Sequence, residues 1–361
     1  MAYSSEVVGS LLRPNYLLQA RQQLESGDIT AKEFKVIEDR AVNEAITMQE
    51  ATGIDVISDG ELRRSAFFGH IVDALEGIDK FGGHAVPFSD DHGGQLIFKS
   101  PVVVEKLRWR RNMCAEEWTY LRARTSHAAK VTMVNTMLAA NYYNPIKSKS
   151  AYPNQEAFMA DIIDFSRREI DELVRLGCDY IQLDAPNYTR FLDPLLREGM
   201  RNQGHDPDKA LAQSIEADNA VIDGHPGVTF ALHICRGNNR SMFSGRGDYE
   251  PIAQLFSQSH FNRFLLEYDD ERSGGFEVLQ HVPDDRVVVL GLVTTKKPEL
   301  ESITELRQRI NEATRYIPLE RLALSPQCGF ASTIEGNLIS QEDQQRKLEL
   351  VTNVAREVWH A

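Results

Sequence analysis

Cysteine is scarce and scattered: 361 residues contain four, Cys114, Cys178, Cys235 and Cys328. No secretory apolar stretch precedes them, so a reducing, cytoplasmic setting is expected and a disulfide framework is not. Long apolar runs are also missing, and nothing approaches the roughly 20 residues a spanning helix needs. Basic residues are outnumbered, 40 Lys and Arg against 53 Asp and Glu. The resulting net charge of −13 argues against nucleic acid or an anionic membrane as the main partner. Two nucleotide signatures are absent as well: no Gly-x-Gly-x-x-Gly follows the first strand, and there is no Gly-Lys-Ser/Thr phosphate loop.

What is present is an alternation of helix and strand. Strands are expected at Glu6-Val-Val-Gly9-Ser10, Ile54–Asp59, Lys130–Thr136, Asp179–Asp184, Val228–Cys235, Phe264–Asp270, Arg286–Val293 and Arg321–Ser325. Helices fill the gaps. Thr30 and Glu33 have capping-box spacing before a helix from Ala31 to Thr52, which Gly53 ends, and Ser302 with Glu305 repeats the device. Further helices are expected at Ala115–His127, Glu156–Leu176, Asp208–Ile222, Tyr249–Ser257, Gly274–His281 and Ile303–Tyr316, with a charged one from Gln341 to the end. Eight strands alternating with helices favour a (β/α)8 TIM barrel over an open doubly wound sheet. The expected organisation is one catalytic barrel over residues 1–361. A Gly-, His- and Asp-rich excursion near 80–105 interrupts it, with the Val102 run as one of its strands.

Polar residues sit at the carboxyl ends of these strands: Ser10, Glu61, Asp184, His233, Cys235, Glu267 and Cys328. In a barrel those ends converge on one mouth. His233 and Cys235 stand two apart and so share a face of their strand. By itself such a pair is more often a packed cysteine beside a satisfied histidine. With Glu267 and Cys328 it forms a set of two thiolates, an imidazole and a carboxylate, which suits tetrahedral Zn²⁺. Such a set leaves the metal electron-rich, a poor activator of water but a good one for keeping a deprotonated thiol nucleophilic. Cys114 and Cys178 read as small core residues. Glu61 and Asp184 read either as helix caps and arginine partners or as site acids. The loop carrying Arg236, Arg240 and Arg246 reads as solvated, or as a lid holding an anionic substrate tail.

With these residues in place the chain resembles the catalytic barrel of cobalamin-independent methionine synthase, in a short core form. It stands in the wider group that includes epoxyalkane:coenzyme M transferases. The resemblance runs from Val8-Gly9-Ser10 to Ser325-Pro-Gln-Cys328-Gly329. It implies zinc on His233, Cys235, Glu267 and Cys328. It implies a homocysteine carboxylate held at Gly9-Ser10 and an ammonium held by Glu61, in Ser58-Asp-Gly-Glu-Leu-Arg-Arg64, and Asp184, in Ile181-Gln-Leu-Asp-Ala-Pro186. Three positions depart from the family, one being Ala185, where the family has a glutamate after the aspartate. The tryptophan that stacks on folate has no counterpart in Lys130-Val-Thr-Met-Val-Asn-Thr136. The proton-donor histidine is replaced within Val293-Thr-Thr-Lys296-Lys297-Pro298, where Lys296 is the nearest match. These departures bear on methyl-folate as the donor and not on zinc or the thiol.

The expected function is therefore zinc-dependent transfer of a methyl or related alkyl group to a small-molecule thiol such as homocysteine. Asp184 and Lys296 are the candidate catalytic residues, and Gly9, Ser10, Glu61, Asp184 and Arg236 the candidate substrate-binding ones. Epoxide opening by a coenzyme M-like thiol, and a non-catalytic zinc- or thiol-binding accessory protein, are the alternatives. Assembly into a homo-oligomer stays open.

Overall fold

The computed structural model describes residues 3–359, so the last two positions of the C-terminal helix expected from Gln341 lie outside the described residues. Eight parallel staves close on themselves, and we number them β1 to β8. A short first stave at residues 5–6 (β1) bridges Leu324 on one side and Val56 on the other. Val56–Ile57 (β2) pairs with Ala128–Ala129, which runs on through Val131–Val134 as β3. Tyr180–Asp184 (β4), Thr229–Ile234 (β5), Arg263–Glu267 (β6), Val287–Val293 (β7) and Leu322–Pro326 (β8) complete the ring. The fold is a TIM barrel, as the alternation of elements requires.

Burial on both faces explains why these strands read as nearly unbroken apolar runs. Their inward residues still follow the period of two. At mid-height Val8, Val56, Tyr180, Ala231, Leu265, Val289 and Ala323 fill the barrel with a small apolar layer of their own. Below it, at the amino end, Glu6 is fully buried and accepts from Lys130 Nζ at 2.6 Å, Tyr180 Oη at 2.7 Å and Arg263 Nη2 at 2.7 Å. Above it, two residues further along each strand, come Gln182 on β4, His233 on β5 and Glu267 on β6, with Asp184 two residues beyond Gln182. A larger apolar core separates the staves from the helices.

The helix signals are met where caps were legible. Ala31–Thr52 has both halves of the Thr30/Glu33 capping box and ends at Gly53 with φ 75°, and Ile303–Ala313 has the box of Ser302 and Glu305. Two expected helices are different. Over 249–257 the chain forms a 3-10 turn, Glu250–Ile252, then a short helix, Gln254–Gln258; over 274–281 only a 3-10 segment, Glu277–His281, forms. Pro251 withholds an N–H in the first, and Gly274-Gly275 with Pro283 confine the second to barely a turn. A helix over Asn15–Ser26 was not foreseen. Its markers are Pro14 immediately before it and Gly27 in the left-handed conformation after it.

Between β2 and β3 the excursion is longer than 80–105. Leu75–Asp79 pairs with Val102–Trp109, and Ala85–Ser89 with Gln95–Lys99, both antiparallel. This outer hairpin reaches the loop after β5: Ser89 and Phe243 exchange two backbone hydrogen bonds of 2.9 Å. The loop therefore sits clamped between hairpin and barrel, not free in solvent.

Candidate active site

Register brings the site together. Asp184 on β4 is the lateral partner of His233 on β5, and His233 in turn faces Leu265 on β6. One oxygen of Asp184 takes Gln182 Nε2 at 2.7 Å and His233 Nδ1 at 3.1 Å. With Nδ1 committed, the other ring nitrogen carries the remaining valence. His233 Nε2 is buried and has no hydrogen-bond partner. It belongs to a group with Cys235 and Cys328 whose ligand atoms all lie within 4.8 Å of one another, every residue buried. The two sulfurs also interact. The S–H of Cys328 donates toward Cys235, which with His233 holds the Cys235 thiol below its usual range despite burial, and Cys328 is pushed well up. For His233, burial alone would lower the pKa; the bond to Asp184 and the nearby negative charges outweigh it, and the pKa rises.

A buried imidazole nitrogen without a partner, two free thiols beside it and a carboxylate orienting the ring form a donor set that fits a divalent soft metal. Glu267, expected as the fourth ligand, stands outside this group. Its Oε2 accepts the Arg236 N–H at 2.7 Å, while Oε1 lies 3.2 Å from Arg272 Nη2 and 3.7 Å from Lys296 Nζ. Burial would raise its pKa, but Lys296, Arg236 and Arg272 win and bring it to about 2.

On the other side of Asp184 lies a second acid. Glu61, in the left-handed conformation at φ 54°, is buried, accepts Thr132 Oγ1 at 2.7 Å and leaves Oε2 without a hydrogen bond, 3.9 Å from Arg64 Nη1; Asp59 Oδ2 has no hydrogen bond either. Burial, with the charges of Asp184 and Asp59 adding to it, pushes Glu61 up to about 7 against the pull of Arg64. Arg64 itself is spent on Glu117, Thr132 and the Phe67 carbonyl. Gly9 and Gly329 make room for this cluster. A Cβ at Gly9 would meet Glu61 Oε1 at 2.5 Å, and one at Gly329 would meet Ser10 Oγ at 2.1 Å. Ser10 Oγ accepts the Ala331 N–H at 3.4 Å, which leaves its own hydrogen to donate elsewhere.

Two candidate contact residues, Arg236 and Lys296, are each held by neighbouring groups. Arg236 does not reach the mouth: its guanidinium is fully buried, stacks 4.0 Å from the Tyr249 ring and donates to the carbonyls of Gly247 and Glu267. Its charge sits behind β5 because the glycine-rich loop folds back over it. Lys296 is close to the site but tethered, 2.6 Å from Asp269 Oδ2. Asp269 and Glu267 raise its pKa against burial, which makes it a weaker acid still. Residues not singled out from sequence are Thr132, Asp269 and Arg272. Asp269 was within reach of inspection, since it follows Glu267 by two positions in an acidic strand end.

Comparison with known proteins agrees with this geometry. The family model "Cobalamin-independent synthase, Catalytic domain" matches residues 4–355. The uncharacterised protein YxjH of Bacillus subtilis strain 168 is 34% identical over 362 residues, 99% of this chain and 95% of its own. The methionine synthase of Pyrococcus abyssi is 26% identical over 327 residues, 90% of this chain and 86% of its own. Among solved structures, a Listeria monocytogenes protein assigned as a vitamin-B12-independent methionine synthase superposes with a TM-score of 0.76 at 25% identity, covering 99% of this chain and 98% of that one. A B12-independent methionine synthase from Shewanella sp. W3-18-1 does so with the same TM-score at 20% identity, with the same coverage. The chain belongs to the cobalamin-independent methionine synthase catalytic-domain family.

Proposed function

We propose that this chain is a zinc-dependent S-methyltransferase, one catalytic barrel over residues 1–361, and that its acceptor is an amino-acid thiol, homocysteine. The observation that carries this reading is the adjacency of two donor sets. The His233, Cys235, Cys328 group shares Asp184, through His233, with an acidic cluster in which Glu61 and Asp59 each keep a buried oxygen without a hydrogen bond, that of Glu61 only within 3.9 Å of Arg64 Nη1. A buried acid with a spare oxygen is costly unless a ligand supplies the missing donor. An ammonium does so; a sulfonate would meet repulsion instead. Burial of Arg236 removes the cation that an anionic thiol would need, which disfavours the coenzyme M-like alternative.

In this reading His233, Cys235 and Cys328 hold the zinc, and Asp184 fixes the imidazole so that Nε2 faces it. Zinc supplies the acidity that removes the thiol proton near neutral pH while leaving sulfur nucleophilic. Glu61 and Asp184 hold the ammonium, and the Ser10 hydroxyl donates to the carboxylate, so the sulfur is delivered to one place. The new carbon–sulfur bond forms as the donor's bond to its methyl breaks, and the thiol proton leaves for solvent. Nothing corresponding to a stacking tryptophan follows β3, so a donor other than methyl-folate is favoured.

The test is a matrix of thiols against methyl donors with purified zinc-loaded protein, read by mass spectrometry of the thioether. Methionine formed from homocysteine, and no product from a sulfonate thiol, supports the reading. Turnover only with a sulfonate thiol and an epoxide would replace it.

A further inference from the structure

We propose that Arg190, with Asn187 beside it, forms an anion-binding subsite at the rim of the barrel mouth, and that the group it takes is a carboxylate or phosphate carried by the methyl donor. This rests on the S-methyltransferase reading above and adds to it the chemical class of the second substrate.

Arg190 lies just past β4, where Pro186–Tyr188 and Thr189–Leu192 run on from the Asp184 end of the strand. The Thr189 hydroxyl donates to the Cys235 carbonyl at 2.8 Å, which pins this turn to the end of β5. From there the half-buried Arg190 side chain reaches the segment after β3, with Nη1 3.5 Å from Asn141 Oδ1, and its Cζ stands 5.9 Å from the Phe191 ring centroid. That long contact leaves most of its donors unspent. Among the described residues no carboxylate pairs with it, and burial lowers its pKa with no acid opposing. Other arginines of the barrel are spent: Arg64 on Glu117, Arg263 on Glu6, Arg272 on Asp270 and Arg236 on two carbonyls. Asn187, three positions earlier in the same turn, keeps Oδ1 buried and without a hydrogen bond, so its amide can turn either end to a ligand. Partial burial and the charge of Arg190 hold His84, at the base of the outer hairpin, below the usual histidine range, so this imidazole is neutral at pH 7 and adds no second cation. Charge decides the ligand class. Glu61, Asp59 and Asp184 make the mouth acidic in a chain of net charge −13, so an anionic donor is repelled unless a cation meets it at the rim. Arg190 is such a cation, on a segment separate from Ser10 and Glu61. Its planar fork matches the paired oxygens of a carboxylate or phosphate.

The experiment is calorimetric binding of two probe anions, inorganic phosphate and glutarate, to the zinc-loaded full chain saturated with methionine, so that the amino-acid place is already filled. Wild type is expected to bind one anion per chain, and the tighter of the two tells whether the donor's group is a phosphate or a carboxylate. Arg190→Gln should weaken that anion on the order of tenfold, the scale of one lost charged hydrogen bond. Should Arg190→Gln not fold, Arg190→Lys keeps the charge without the fork and should weaken binding by a smaller, measurable factor. Methionine affinity should be the same in every variant. With any donor that turns over, Arg190→Gln should raise KM for the donor and leave KM for the thiol unchanged. Absence of saturable anion binding in wild type, variants that bind the anion as wild type does, or a rise in KM for the thiol alone overturns the inference, while intact methionine binding leaves the S-methyltransferase reading standing. A wild-type chain that does not bind methionine overturns that reading and this inference with it.

Discussion

Asp184 Oδ1 lies 3.1 Å from His233 Nδ1, and the two residues are lateral partners on adjacent parallel strands, so the barrel's register itself selects which histidine nitrogen is free. Asp184→Asn keeps the shape but offers an amide where the ring needs an acceptor of fixed sense. Zinc affinity is expected to fall about 10–100-fold, measured by chelator competition, with the unfolding midpoint of metal-free protein changing little.

Gly9→Ala tests the acidic cluster without removing a charge. The added methyl would meet Glu61 Oε1 at 2.5 Å and Thr132 Cγ2 at 3.0 Å, so Glu61 must turn away from its present place. Methionine binding by calorimetry is expected to weaken by roughly tenfold or more, the scale of one lost charged hydrogen bond. Zinc content should stay as in wild type.

Glu61 makes amine binding pH-dependent. Its carboxyl is held up to about 7 in the folded chain, mainly by burial. Methionine carries no thiol, so its affinity isolates this group. Binding should strengthen as pH rises from 5.5 to 7 and level off above, and Glu61→Gln should be weak and flat throughout. Stability runs the other way. A raised carboxyl contributes fully below its unfolded pKa near 4.5, and the contribution is lost as pH rises through 7.

At the far end of the barrel Glu6 predicts a stability effect without a catalytic one. It is held at about 2 because Lys130 and Arg263 outweigh its burial. Its contribution is present above the unfolded value near 4.5 and is lost as pH falls from there toward 2. Glu6→Ala strands two buried cations and is expected to cost about 3–5 kcal/mol, seen in urea unfolding at pH 7. Zinc binding by the folded fraction should be unchanged, because Asp184 stands four residues along β4 from Tyr180, roughly 13 Å away.

The barrel was legible because eight apolar strands alternate with helices along the chain, several of them capped, and the mouth because His233, Cys235 and Cys328 lie at the ends of those strands. What escaped has local physical causes. Arg236 directly follows Cys235 and read as part of a solvated loop or a lid; beside the left-handed Gly237 its guanidinium packs on Tyr249 instead. Glu267 accepts the Arg236 N–H and lies beside Arg272 and Lys296, cations from two other segments whose convergence no spacing reveals. The unforeseen helix Asn15–Ser26 is mostly polar and has no side-chain cap, and Pro14 and Gly27 at its ends were its clearest signals. Thr132 was read merely as part of β3, although its hydroxyl is what holds Glu61.

The central claim is that His233, Cys235 and Cys328 form a metal centre, and zinc per chain tests it most directly. Protein purified without chelator should contain about one zinc, and Cys235→Ser and Cys328→Ser, still folded by circular dichroism, should each lose it. A wild-type chain without zinc that also fails to take it up on dialysis, or serine variants that retain it, would contradict the account.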